Sequence, residues 1–65
     1  MKTYADLKSL IVSKGFTDDE ATSFVNIEKN MKGAKGADDS VECGDDVYGF
    51  YESRSMLEID PTKAW

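Results

Sequence analysis

Apolar positions in the first third of the chain recur at helical intervals. Tyr4, Leu7, Leu10 and Ile11 fall on one face at three- and four-residue spacing. Thr3 is placed to cap that helix, with Asp6 three residues on. Gly15 ends it, and Lys14 suits the negative helix C-terminus. A second helix opens on Thr17-Asp18-Asp19-Glu20, a capping box whose acids also favour the positive end of the helix dipole. Phe16 precedes the cap and is positioned to staple onto Ala21. Ala21, Phe24, Val25, Ile27 and Met31 give a broad apolar stripe ending between Met31 and Gly33. The short Gly15-Phe16 connection predicts a helical hairpin.

Beyond the glycine- and lysine-bearing linker of residues 32–36 the period changes. Ser40-Val41-Glu42-Cys43 alternates polar and apolar, as a half-buried strand does. Gly44-Asp45-Asp46 has the composition of a turn. Residues 47–52 are rich in aromatic and β-branched side chains and predict a central strand. Residues 56–59 alternate again, and Pro61 stops the third strand. The predicted fold is α+β: an N-terminal helical hairpin followed by a three-stranded antiparallel sheet. Trp65 is expected to pack back onto it.

Sixty-five residues make one domain, spanning 1–65, with little apolar surface to spare for a deep pocket. The hydrophobic share of 40% suffices for a core and argues against disorder over the whole chain. One cysteine, Cys43, cannot form an internal disulfide, which suits a reducing cytoplasm. The start, Met-Lys-Thr-Tyr, runs into an amphipathic segment without the long apolar stretch of a signal peptide, and nothing later approaches a membrane span. A cytoplasmic protein is therefore expected.

Charge changes the picture most. Residues 36–60 carry eight carboxylates against one base, Arg54, a local charge of −7, whereas residues 1–35 carry five acids and six bases. On the predicted sheet, Glu42, Glu52 and Glu58 point outward if Val41, Cys43, Tyr51, Leu57 and Ile59 point inward. Asp38, Asp39, Asp45 and Asp46 extend the stripe over the strand entry and turn. Alternate strand residues lie about 6.6 Å apart, on the scale of DNA phosphates that advance about 3.4 Å along a strand. Tyr48 is the candidate aromatic anchor. The candidate partner-binding set is thus Asp38, Asp39, Glu42, Asp45, Asp46, Tyr48, Glu52 and Glu58. The competing reading of the same acids is solubility and protection of sheet edges.

Other chemistries have weaker cases. No histidine is present, which removes the commonest general base and metal ligand. Asp38, Asp39, Asp45 and Asp46 do not follow the spacing of a calcium loop. Cys43 has no histidine to activate it and reads as a buried residue. Gly33 and Gly36 beside Lys32 and Lys35 lack the P-loop pattern. No enzyme, cofactor or metal is expected.

Two resemblances follow. Residues 7–21, two short helices joined at Lys-Gly-Phe-Thr-Asp-Asp-Glu-Ala, resemble ubiquitin-associated domains and some helix-turn-helix units. Those need a third helix where this sequence reads as strand, so the hairpin is expected to supply core. In overall character the chain resembles the small anti-CRISPR proteins of phages and mobile elements, among them the acidic inhibitors of type I-C systems. It is tiny and acidic, and it lacks histidine and disulfides. That resemblance implies a non-enzymatic, monomeric inhibitor that occupies a basic DNA-binding cleft of a surveillance complex, such as the large subunit that reads the protospacer-adjacent motif. The alternative is an interaction module binding through an apolar patch or sheet edge, with Tyr4, Trp65 and the hairpin faces in the contact.

Overall fold

Thr3 and Thr17 start their helices by one device. Each hydroxyl accepts from the amide three residues on, and the acid there, Asp6 or Glu20, accepts from the threonine's own amide. The structure, a computed structural model, describes residues 1–64. Over them the chain folds as α1 (Tyr4–Ser13), α2 (Asp18–Met31), α3 (Asp45–Glu52), the single turn α4 (Met56–Ile59) and a 3-10 turn at Pro61–Ala64. Trp65, expected to pack onto the domain, lies outside the described residues.

The hairpin forms as its periodicity predicts. Tyr4, Leu7 and Ile11 of α1 and Ala21 and Val25 of α2 are buried together, with Phe16 sealing the connection. Gly15 takes a φ of 116°, a left-handed conformation that ends α1 without the Cβ clash any other residue would meet. The stripe on α2 is narrower than predicted. Phe24 is half-buried, Ile27 and Met31 are exposed, and Lys29 takes the last core-facing position.

The predicted three-stranded sheet does not form, and the fold is all-helical rather than α+β. Among the described residues the one strand-like pairing is an antiparallel bridge between Thr3 and Glu42. Residues 38–41 instead form a turn, closed by Val41 N donating to Asp38 O at 3.0 Å, and with Glu42 and Cys43 they lie as a strap over the N-terminus of α1. Ala5 N donates to Asp39 O, Tyr4 N to Val41 O and Cys43 N to Lys2 O, each at 3.0 Å. The bonds from Tyr4 and Ala5 satisfy amides that a first helical turn leaves unpaired, and the bond from Cys43 ties the strap back to Lys2.

Residues 47–52 are helical because their burial follows a four-residue interval. Val47 and Tyr51 enter the core, while the exposed acids Asp45 and Asp46 complement the positive helix N-terminus. Residues 55–58 repeat the capping box. Ser55 Oγ accepts from Glu58 N, and Glu58 Oε1 accepts from Ser55 N. An edge-to-face aromatic row, Phe16–Phe24 at 5.1 Å and Phe24–Tyr51 at 6.1 Å between centroids, carries the core from the hairpin to α3. The Tyr51 hydroxyl donates to Glu28 Oε2 at 2.8 Å and joins α3 to α2.

Lys29 is the one buried charged residue among those described, 7% exposed. Its ammonium donates to Ala37 O at 2.8 Å and to Asp39 Oδ1 at 2.7 Å, 5.3 Å from the centre of the Tyr4 ring. A buried ammonium costs several kcal/mol unless it is paired and hydrogen-bonded. The strap supplies both partners, so its position is fixed by what Lys29 requires. Lys29→Met keeps the apolar stem and leaves Ala37 O and Asp39 without their donor. It should lower the unfolding free energy measured by urea titration by about 1–3 kcal/mol. Lys8→Met, which breaks the exposed Lys8–Asp18 pair, should cost under about 0.5 kcal/mol. Equal losses would show that the Lys29 cluster is an ordinary surface contact.

Candidate functional site

The helices divide the predicted acidic set instead of aligning it. α1, ten residues long, runs from one group to the other. Its N-terminus meets residues 39–43, and at its C-terminus Lys14 Nζ donates to Glu52 O at 3.1 Å. Asp38, Asp39, Glu42, Asp45 and Asp46 therefore lie toward the first end, and Glu52 and Glu58 toward the second. The single stripe inferred from a sheet is not formed.

Several of these acids have structural partners. Asp39 holds Lys29, and Asp46 Oδ1 holds Lys32 Nζ at 3.2 Å. Asp38 Oδ1 accepts from Ser40 N at 2.9 Å, and Glu58 closes the α4 capping box. The contacts of Asp38, Asp46 and Glu58 favour the ionised carboxyl. Asp46 is held below the usual carboxylate range first by Lys32, Asp38 by the Ser40 amide and Glu58 by the Ser55 amide. Asp6 and Glu20 are lowered likewise, Asp6 first by the Thr3 amide and Glu20 first by Lys63.

Three acids of the set have neither a cation nor a backbone amide on their carboxylates among the described residues: Glu42, Asp45 and Glu52. Two of them share one face of α3. Asp45, Tyr48, Gly49 and Glu52 follow the i, i+3, i+4, i+7 pattern, opposite the buried pair Val47 and Tyr51. Asp45 and Glu52 are exposed, and Tyr48 and Gly49 between them are half-buried. Lys2 Nζ stands 4.7 Å from the centre of the Tyr48 ring. This carboxylate–tyrosine–carboxylate row is the candidate site. The spacing is readable in the sequence as a helix face, although the aromatic and β-branched content of residues 47–52 predicts a strand.

The start of α3 is set by Gly44, whose φ is 94° and whose missing side chain leaves room for the Lys32–Asp46 pair. A Cβ there would stand 2.6 Å from Asp46 Oδ1 and 2.8 Å from Lys32 Nζ.

Other surfaces are less defined. A shallow groove of about 480 Å³ lies between α2 and the linker, lined by Asn26, Ile27, Lys29, Asn30, Lys35 and Gly36. A second, of about 460 Å³, runs beside α1 along Ala5, Lys8, Ser9, Val12, Asp18 and Asp39. Among the described residues no three His, Cys, Asp or Glu side chains are grouped to hold a metal ion. Cys43 is fully buried, and burial pushes its thiol up, away from nucleophilic character. Tyr4, expected at an interaction surface in the apolar-patch reading, is 1% exposed and belongs to the core. The sheet edge of that reading is absent with the sheet. Among the described residues no helix is long and apolar enough to cross a membrane.

α3 is a third helix where the sequence predicts a strand. No protein-family model matches the chain, and no curated protein and no solved structure is significantly similar to it.

Gly44→Ala should destabilise the fold by about 1–2 kcal/mol in urea unfolding, since it adds a left-handed alanine and displaces the Lys32–Asp46 pair. A neutral or stabilising result would contradict this start of α3. Stability should also depend on pH at both extremes. The folded state holds Asp6, Glu20, Asp38, Asp46 and Glu58 below their ordinary values of 3.8 and 4.5. The unfolded chain therefore takes up protons first as pH falls, and stability present at neutral pH is lost below about pH 4.5. Cys43 and Tyr51 are raised above their ordinary 9.0 and 10.0, both mainly by burial. Their contribution is complete at neutral pH and declines as pH climbs above about 9. Thermal melts from acid to alkali should show a plateau between those limits; a midpoint rising on either side would contradict the assignments.

Proposed function

We propose that this chain is a non-enzymatic binding protein that presents carboxylates to a basic, nucleic-acid-binding surface of another protein and so competes with the nucleic acid. The observation that carries the reading is the exposed face of α3. There Asp45 and Glu52 stand about two turns apart on one face, on either side of Tyr48, with no cation partner among the described residues. Glu42 adds a third unpaired acid on the strap that leads to α3. The charge of −5 favours association with cationic surfaces over long range. The spacing argument drawn from strands falls away with the sheet, and the reading now rests on charge and exposure. Asp39 and Asp46 leave the contact set, because each already neutralises a lysine.

The resemblance in size and composition to anti-CRISPR proteins supplies the specific form of this proposal. The partner is then the DNA-binding cleft of a type I surveillance complex in the cytoplasm of a bacterial host, with the PAM-reading large subunit the first candidate, and the protein acts as a monomer. Lys and Arg side chains of the cleft engaged by carboxylates are unavailable to DNA phosphates.

A second reading is favoured by Ile27 and Met31, one turn apart on α2 and 52% and 76% exposed. They would form the apolar centre of a different contact.

A band-shift assay of DNA binding by a type I-C complex, with increasing amounts of this protein, tests the proposal. Inhibition should appear at low salt and weaken as salt rises, because the contact is between surface charges. D45N/E52Q should raise the half-inhibiting concentration at least about tenfold, and I27S/M31S should leave it unchanged. No inhibition at any concentration would remove the CRISPR target. Inhibition insensitive to D45N/E52Q but lost in I27S/M31S would move the site to α2.

A further inference from the structure

Gly49 is the residue of α3 for which the fold supplies no reason. Its φ is not positive, unlike that of Gly15, Gly33, Gly36 and Gly44, so no backbone conformation demands it. A Cβ at position 49 would meet nothing within 4 Å, so no internal packing demands it either. Glycine inside a helix is nevertheless unfavourable relative to alanine, through backbone entropy lost on folding. A bare position at mid-helix opens the backbone to close approach from outside.

Its neighbours say what could approach. Asp45 lies one turn before it and Glu52 nearly one turn after, both exposed and both without a cation among the described residues. The Tyr48 ring beside it already carries an ammonium, that of Lys2 at 4.7 Å, so this face accepts cations. Nucleic acid is excluded by the two carboxylates. A second copy of the chain, also at −5, would bring acid to acid. A single metal ion cannot bridge positions about 10 Å apart along the helix axis.

We propose that the Gly49 face of α3 is a docking seam for a basic helix of a protein partner. The partner backbone crosses at Gly49, and arginine or lysine residues seven apart reach Asp45 and Glu52. Helix axes pack about 8–10 Å apart according to the side chains at the crossing, and glycine permits the near end of that range. Two residues seven apart on a helix are separated by about 10.5 Å, which matches the Asp45-to-Glu52 interval. The inference rests on the acidic-surface reading above and deepens it, since it names the element that the partner contributes.

The test uses a labelled, alanine-based helical peptide with two arginines seven residues apart on one face. A control peptide has the same composition, with the arginines on opposite faces. Binding is followed by fluorescence anisotropy at low salt, alongside thermal melts of each protein variant. The wild-type chain should bind the first peptide at least about fivefold more tightly than the control. D45N/E52Q should weaken binding about tenfold. G49A should melt several degrees higher, because it removes a helix-interior glycine, and yet bind at least about fivefold more weakly.

Stability rising while affinity falls is the signature of a glycine kept open for a partner. If G49A binds as tightly as wild type while D45N/E52Q does not, the seam is overturned and the acidic surface stands. Equal binding of both peptides overturns the helical occupant in the same way. If neither substitution changes binding, or the peptide does not bind, both readings fall. A lower melting temperature for G49A would assign the glycine an internal role and overturn the premise.

Discussion

The ammonium of Lys29 sets the arrangement of everything after α2. Buried charge is tolerated only when solvent is replaced by specific partners, and here those partners come from a segment eight to ten residues further along the chain. Binding Ala37 O and Asp39 brings the strap across the N-terminus of α1. The amides of Tyr4 and Ala5 then find their acceptors, and the chain arrives at Gly44 beside Lys32. Only from that point does α3 run back along the hairpin, with Val47 and Tyr51 turned into the core. One lysine in an otherwise apolar position thus converts a polar linker into a structural element.

The same constraint decides which acids are available. Carboxylates concentrated in the second half of the sequence suggest a continuous anionic surface, but folding gives several of them internal tasks. Asp39 neutralises Lys29, Asp46 neutralises Lys32, Asp38 turns the strap, and Glu58 caps α4. What is left on the outer face of α3, apart from the exposed Phe50, is sparser: two acids, with a half-buried tyrosine and glycine between them. Surface ion pairs contribute little stability. The unpaired positions are thus open to a partner without loss to the fold.

The hairpin was legible because its signals are local and redundant. Thr3, Thr17 and Gly15 mark the boundaries, and the apolar spacing between them has a single helical interpretation. The second half was misread where the signals conflict. Val47, Tyr48, Phe50 and Tyr51 are apolar on both sides of a would-be strand and have high β-propensity, yet Val47 and Tyr51 are also one helical turn apart. Ser55 and Glu58 form the same capping box as Thr17 and Glu20, while the alternation of residues 56–59 points to a strand. A sheet would also have required three short strands to bury one face against a small hairpin. Two additional short helices reach the same core with hydrogen bonds closed locally. Burial of Lys29 had no sequence signal. Lysine at that position reads as the solvated edge of an amphipathic helix, and only the later arrival of Asp39 makes burial tolerable.

Both the candidate site and its proposed partner depend on the strap being part of the cooperative fold. Native-state amide hydrogen exchange of the wild-type chain tests this most directly, read at Ala5 and Cys43, whose amides donate to the strap and to Lys2. First-turn helix amides such as that of Ala5, and amides outside any helix such as that of Cys43, ordinarily exchange fast, because they lack intrahelical acceptors. Here Ala5 and Cys43 should be protected nearly as strongly as Ile11 and Val25 in the core. Rapid exchange at both, with the hairpin still protected, would mean that the strap is loose and that α3 is not held where this account requires it.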